Sequence, residues 1–471
     1  MIDIEALRHA RKRKPAGAFS HTRPRLSTAQ LILLGFLALI LTGSLLLSLP
    51  IAAANGKRVA YVDALFTAAT SACVTGLVTL PTATAWSTFG QIVILMLIHI
   101  GGLGVITLMA WFMMLMHRRI GISGRLLIQD SFNLDTLSGL IQFVRRVTLG
   151  TLIVEGAGAL LYMLVFIPDF GARGIWIAIF NSVSAFCNAG IDIISANGLC
   201  DYALNPLVNG VTCTLIVLGG IGYIVWWDVV RVVRRRRQGH GGGLWAGLTL
   251  HSRIAISVTL ALLLTGVCGF LILEGNNPET FGGFTPLQKL QAALFQSVTT
   301  RTAGFATVPQ QNLTNGSAIL SLLLMFIGGS PVGTAGGVKT VTAAVALATA
   351  LSVIHGRHDV NLFHRRISET AIRKAMAVIC CSFLTAFIST VLLCAVTDAP
   401  ALDILYETIS ATATVGLTRN LTGQLNLWGK LIICATMYFG RVGPISLAIA
   451  LSGGSKGENI IRNPIEEISV G

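Results

Sequence analysis

Charge is what this sequence has least of. Only 11% of its 471 residues are Asp, Glu, Lys or Arg against 53% hydrophobic, and the mean hydropathy is +0.74, more apolar surface than a soluble core could bury. An ordinary soluble globule is thereby excluded, and a lipid bilayer is the expected solvent. Catalytic constellations are missing as well. No D-x-x-D pair, H-E-x-x-H or G-x-S-x-G falls within the apolar runs, which argues against a membrane-embedded prenyl or phospholipid transferase. The nine cysteines show no C-x-x-C spacing and lie mostly in apolar runs, so neither a metal cluster nor a disulfide framework is expected. No nucleotide-binding motif occurs, and any nucleotide control would have to come from a partner.

What the sequence does have is long uncharged runs, each able to cross roughly 30 Å of hydrocarbon as a helix. They cover 29–49, 89–116, 147–167 (broken only by Glu155), 206–227, 254–273, 318 onward, 375–396 and 431–451, giving eight expected spans. A basic stretch before the first run and Ala52 to Ala54 after it imitate a secretory signal, but the apolar core is too long, so a retained helix is expected.

A net charge of +14 would suggest nucleic acid in a soluble protein, yet here the basic residues sort by loop. With a cytoplasmic amino terminus and eight spans, inside segments hold twenty-five Lys and Arg and outside segments hold seven. Both termini are expected in the cytoplasm, no nucleic-acid partner is expected, and the Arg-rich linker at 231–243 is expected to meet membrane lipid or a regulatory partner. Trp86, Trp176 and Trp428, with Trp226 and Trp227 at the opposite end, are expected to form interfacial belts.

An internal repeat organises these runs. Val74-Thr75-Gly76-Leu77, Asn188-Ala189-Gly190-Ile191, Thr302-Ala303-Gly304-Phe305 and Thr414-Val415-Gly416-Leu417 recur at spacings of 114, 114 and 112 residues. Each follows a helical stretch too short to span, at 62–72, 176–186, 287–299 and 402–411, read as re-entrant pore helices. A second small-residue signature comes 24 to 29 residues later: Gly101-Gly102, Gly219-Gly220, Gly328-Gly329 and Gly440-Arg441. The expected fold is all-α and integral to the membrane, with four tandem helix, pore loop, helix repeats in pseudo-fourfold symmetry around one pore. Repeats are placed at 29–118, 145–230, 251–355 and 371–452, between a basic cytoplasmic segment at 1–28 and a tail at 453–471.

The chemistry points to a cation. Rings of backbone carbonyls can replace an ion's hydration shell, Gly allows the backbone angles this needs, and the carboxyl ends of the short helices favour positive charge. The expected filter comprises Val74, Thr75, Gly76, Asn188, Ala189, Gly190, Thr302, Ala303, Gly304, Thr414, Val415 and Gly416. The cation would be held by carbonyls of Thr75, Gly76, Asn188, Ala189, Thr302, Ala303, Thr414 and Val415. A coupled secondary transporter is the competing reading; it usually shows broken helices in inverted halves, whereas the repeats here run parallel and only one break is expected.

These segments, with Phe186-Cys187 and Thr300-Arg301 leading two of them, resemble the pore-loop signatures of the Ktr/Trk/HKT superfamily of potassium transporters over about 29–452. The resemblance implies K⁺ uptake, with K⁺ as the cation at those carbonyls, because relatives preferring Na⁺ carry Ser where Gly76 stands; Na⁺ is the second candidate ion. The chain lacks two extra amino-terminal spans of the Trk type and so looks like a Ktr-type membrane subunit. That implies a homodimer in the bacterial inner membrane, docked on a cytosolic nucleotide-binding ring of RCK type. It also implies a gate. Gly and Pro break the third repeat's second helix at 328–339, and Gly328, Gly329, Ser330, Thr334, Gly336, Gly337 and Lys339 match the family's gating loop, which also takes in Gly333 although Val332 and Gly333 depart from the family's Gly-Ser pair, with Arg441 completing the constriction. Arg301 and Arg419 are expected to brace carbonyls behind the filter. His99 and Glu155 are expected to have interhelical partners, and Asp63, Asp192 and Asp201 to lie near the outer mouth.

Overall fold

A computed structural model describes residues 28–104, 140–239 and 243–443. Residues 1–27, the end of the first repeat and the linker after it, the last part of the fourth repeat and the tail lie outside the described residues.

Four stretches of chain follow the same element order. Long apolar helices α1 (Thr28–Leu47), α4 (Leu140–Phe170), α8 (Leu250–Glu274) and α12 (Glu369–Val396) open them. Short helices α2 (Tyr61–Cys73), α5 (Arg173–Cys187), α9 (Pro286–Thr299) and α13 (Ala401–Thr412) come next, within three residues of the expected bounds. After a non-helical segment come α3 (Thr88–Leu103), α6 (Pro206–Gly220), α10 (Asn315–Phe326) and α14 (Leu427–Val442). Helix α7 (Tyr223–Arg237) continues from α6 and α11 (Thr340–Ile354) follows α10.

Capping explains where the second helices start. Ser87, Asn205, Thr314 and Asn426 each accept a hydrogen bond from a backbone N–H of the first turn, covering a donor that a helix end leaves unpaired.

Among the described residues, four helices are long and apolar enough to cross a membrane, or five if the bent pair α6–α7 is one span. The long helices turn large apolar side chains outward, Leu160, Leu264, Ile272 and Phe383 among them, as lipid-facing helices do. Small and aromatic residues of the short helices are buried.

The second helices correct one expectation. All of them stop at the small-residue signature, not only the third. Gly104, Gly222 and Gly443 stand at φ +87°, +91° and +88°, each three residues after the first Gly of its signature, and α6 and α7 meet at 94°. Those angles suit Gly and end the helix. Pro331 takes the corresponding place in the third stretch, and the chain there loops to Lys339. Trp86 is also misplaced by sequence reasoning, since it is 1% exposed and belongs to the core instead of an interfacial belt.

Packing closes a circuit. Helix α3 lies against α5, α6 against α9, α10 against α13, and α14 against α2, so the last stretch of chain rests on the first.

Candidate functional site

The four glycines meet at the middle of that circuit. A Cβ on Gly76 would lie 2.6 Å from the Ala189 carbonyl oxygen, and one on Gly190 would lie 2.6 Å from that of Ala303. Gly304 abuts the Val415 carbonyl in the same way, and Gly416 abuts that of Thr75. Each glycine therefore faces the carbonyl preceding the next glycine, and the sequence closes on itself. All four have positive φ, from +63° to +105°.

Two residues before each glycine the backbone is left-handed: Val74 at φ +56°, Asn188 at +59°, Thr302 at +68° and Thr414 at +51°. Asn tolerates that region, but a β-branched residue there costs on the order of 1–3 kcal/mol. Three such residues in equivalent places mean that the surroundings impose the conformation. No local pattern in the sequence signals it.

Side chains from the short helices hold the segments from behind. Thr70 Oγ1 accepts from Gly76 N–H at 2.9 Å and Ser410 Oγ from Gly416 N–H at 3.0 Å. Ser184 Oγ donates to the Ile191 carbonyl at 2.5 Å, and Thr299 Oγ1 to that of Phe305 at 2.6 Å. With its amide nitrogen turned toward them, Asn188 donates to the carbonyls of Ile216 and Ala185, each at 3.2 Å.

The carbonyls are another matter. Among the described residues, no donor bonds to those of Thr75, Gly76, Asn188, Ala189, Thr302, Ala303, Thr414 or Val415, although all eight residues are buried. The hydroxyls of Thr75, Thr302 and Thr414 are buried and unpaired too. Buried backbone groups are nearly always paired, so a cluster of unpaired oxygens calls for a ligand that accepts them all. A dehydrated cation is such a ligand.

Second-helix glycines let the short helices come close. Gly101 packs on the Ala72 carbonyl, Gly219 on that of Phe186 and Gly440 on that of Thr412. At each of these a Cβ would collide with backbone. The third stretch differs, because Gly328 meets Gly336 of its own loop and the Thr302 methyl instead.

That loop lies between α10 and α11, closed by Gly328 N–H to Val338 O at 3.0 Å and Val338 N–H to Phe326 O at 3.1 Å. It is moored to α6 and α7: Ser330 N–H donates to Gly220 O at 2.8 Å, Thr334 N–H to Gly219 O at 3.1 Å, and Tyr223 N–H to Val332 O at 2.9 Å. Ser330 and Thr340 share a hydroxyl hydrogen bond of 2.9 Å, and Gly333 packs on Gly219 and Gly222. Gly336 abuts the Thr414 hydroxyl, and Gly337, at φ +67°, packs on Gly328. Lys339 Nζ donates to Ala335 O at 2.5 Å. Arg441 then clamps the arrangement, with one guanidinium nitrogen 2.7 Å from Thr334 O and the other 2.6 Å from Gly101 O.

Arg301 and Arg419 do point at carbonyls. Arg301 donates to Gly328 O at 3.0 Å, tying the third glycine segment to the loop. Arg419 pairs with Asp403 at 2.6 Å and reaches the carbonyls of Gln310 and Leu313.

Cavities open on both sides of the glycines. One of about 650 Å³ is lined by Gly76, Gly190, Gly304 and Gly416 together with Asp192 and Asp201. The other, about 500 Å³, is lined by the loop, Gly101, Gly443, Lys339 and Arg441. One mouth is acidic and the other basic. Burial pushes the Asp192 carboxyl up to about 7, its hydrogen bond from Ile194 N–H opposing the shift and Asp201 adding to it. Asp63 is not in this mouth; it pairs with Lys430.

Long apolar helices around a cluster of buried, unpaired oxygens are the equipment of a membrane cation transport protein. The TrkH family model, described as cation transport protein, matches residues 20–456, and the chain belongs to this family. It is 37% identical over 455 residues to the potassium/sodium uptake protein NtpJ of Enterococcus hirae, covering 95% of this chain and 98% of that one. Identity to the Ktr system potassium uptake protein B of Bacillus subtilis is 36% over 448 residues, with 95% and 97% covered. The crystal structure of the potassium transporter TrkH from Vibrio parahaemolyticus shares the fold, with a TM-score of 0.72 at 17% identity over 92% of this chain and 86% of that one. These relatives are transporters, and this chain's work is transport, not catalysis.

Proposed function

We propose that the chain takes up K⁺ across the bacterial plasma membrane through one pore on the axis of four pseudo-symmetric repeats. Eight spans are counted when α6 with α7 and α10 with α11 are each taken as one crossing and α3 and α14 as one each. The observation that carries this reading is the set of eight buried carbonyls without donors, arranged with four glycines that each face the next segment's carbonyl. The names of two relatives, uptake proteins for potassium or for potassium and sodium, support the ion.

In this reading the residues from Val74 to Gly76, Asn188 to Gly190, Thr302 to Gly304 and Thr414 to Gly416 form the filter. The acidic cavity is the outer mouth, and the basic one faces the cytoplasm with both termini. The 328–339 loop with Arg441 is the gate, since it sits across the path between Thr414 and the basic cavity and two cations line it. A homodimer docked on a cytosolic nucleotide-binding ring completes the assembly, with Na⁺ as a modulating ion. The second helices fit the pore better than a coupled transporter, because they end at equivalent places in parallel and not inverted copies.

Rubidium tracer uptake into liposomes holding the purified protein tests this. Uptake should be blocked by K⁺ and not by Na⁺, with that preference weakened in Gly76→Ser; absence of uptake, even with a cytosolic ring added, would sink the reading.

A further inference from the structure

Two polar groups stranded on apolar helices, and one cysteine, come together away from the glycines. His99 on α3, Glu155 on α4 and Cys187 at the end of α5 belong to three different helices, and their ligating atoms lie within 4.8 Å of one another. His99 Nδ1 is 3.5 Å from Glu155 Oε1, and Cys187 Sγ is 3.9 Å from the same oxygen. Among the described residues this is the one group of three such side chains close enough to share an ion.

We propose that His99, Glu155 and Cys187 form a binding site for a single thiophilic divalent cation of the zinc and cadmium class.

Geometry favours it. Tetrahedral ligands at about 2.0–2.3 Å from a zinc-sized ion stand roughly 3.3–3.7 Å from one another, so two of the separations need change by only a few tenths of an ångström. One imidazole, one carboxylate and one thiolate is a donor set for a borderline-soft metal, unsuited to Mg²⁺ or Ca²⁺, which take oxygen ligands. Three protein ligands leave a fourth position for water. Charge favours it as well: a carboxylate and a thiolate surrounded by apolar helix are costly, and a dication between them offsets both.

The surroundings leave room and hold the donors. Gly102 lies against Cys187, where a Cβ would be 2.7 Å from Sγ. Ser182 Oγ donates to the Glu155 backbone carbonyl at 2.6 Å and fixes α5 to α4 at this level. Glu155 and Cys187 are buried, whereas the His99 side chain is 27% exposed. On binding, the Cys187 S–H proton and any proton held between His99 and Glu155 pass to solvent as the metal bonds form, with no change of oxidation state. The ion would tie α3, α4 and α5 together one residue before Asn188.

Cadmium titration of the purified full-length protein in detergent tests this through the ultraviolet thiolate-to-cadmium absorption and through proton release. Wild type should take one Cd²⁺ per chain with release of protons. Cys187→Ala should remove the absorption, and His99→Gln and Glu155→Gln should each weaken binding by more than the roughly 10–100-fold that outer-layer changes cost. His99→Gln alters a part-exposed side chain and keeps the test decisive if a buried variant does not fold. No thiolate absorption in wild type, an absorption surviving Cys187→Ala, or an affinity unchanged in His99→Gln would each overturn the site.

Discussion

Lys430 Nζ lies 2.6 Å from Asp63 Oδ1, an ion pair joining the start of α14 to the first turn of α2 across most of the chain. Both side chains are under one-fifth exposed, so the pair sits between a surface bridge, worth little, and a buried one whose breaking is costly. Asp63→Asn, which strands the ammonium, should cost about 2 kcal/mol and lower the thermal unfolding midpoint in detergent. Asp63→Asn with Lys430→Met should recover part of the loss. An unchanged midpoint in the single variant would mean that packing alone closes the circuit.

Glycine substitutions separate close approach from ordinary helix tolerance. Gly190→Ala would place its methyl 2.6 Å from Ala303 O and 2.7 Å from Gly304 Cα in a backbone that L residues rarely adopt. Tracer uptake should fall at least tenfold. Gly210 on α6 has nothing within 4 Å of its added Cβ, so Gly210→Ala should keep uptake and gain up to about 1 kcal/mol of stability from helix propensity. Equal effects in the two variants would remove the argument from the ring.

Arg441 spans two carbonyls from different parts of the chain, one with each terminal nitrogen of its planar fork. Arg441→Ala frees the loop at Thr334, and flux from preloaded liposomes should rise several-fold. Arg441→Lys should behave as an intermediate, because a point-like ammonium lacks the fixed fork of the guanidinium. Unaltered flux and regulation in the alanine variant would show that the loop is held without it.

External pH should act through Asp192. Its carboxyl is held up to about 7 against an ordinary 3.8, so the folded protein favours the protonated form. Stability from this group is therefore complete below about 3.8 and is lost as pH rises through about 7. Charge in the mouth runs the other way, and half-saturation by rubidium should worsen as external pH drops below about 7. Asp192→Asn should flatten that profile and leave the protein less sensitive to alkaline unfolding; a profile unchanged in the variant would assign the dependence elsewhere.

Much of the fold was legible beforehand because hydropathy and glycine spacing are local signals. The runs that became α1, α4, α8 and α12, the four short helices and the phase of Gly76, Gly190, Gly304 and Gly416 are all readable from one-dimensional periodicity. Gly104, Gly222 and Gly443 were legible too, yet a single Gly in an apolar run reads as a weak helix position until its φ is known. His99 and Glu155 were expected to have interhelical partners, but that they partner each other was not legible, because they lie on different helices.

By itself, then, the sequence determined an apolar chain of four similar stretches, each delivering a glycine after a helix too short to span. Tertiary structure alone decided which carbonyl each glycine faces, that Val74, Thr302 and Thr414 are forced left-handed, and that Arg441 joins Thr334 to Gly101. The reason is physical: span and repeat depend on free energies of near neighbours, whereas the orientation of a carbonyl or guanidinium depends on partners a hundred or more residues away, which exist only once the circuit has closed.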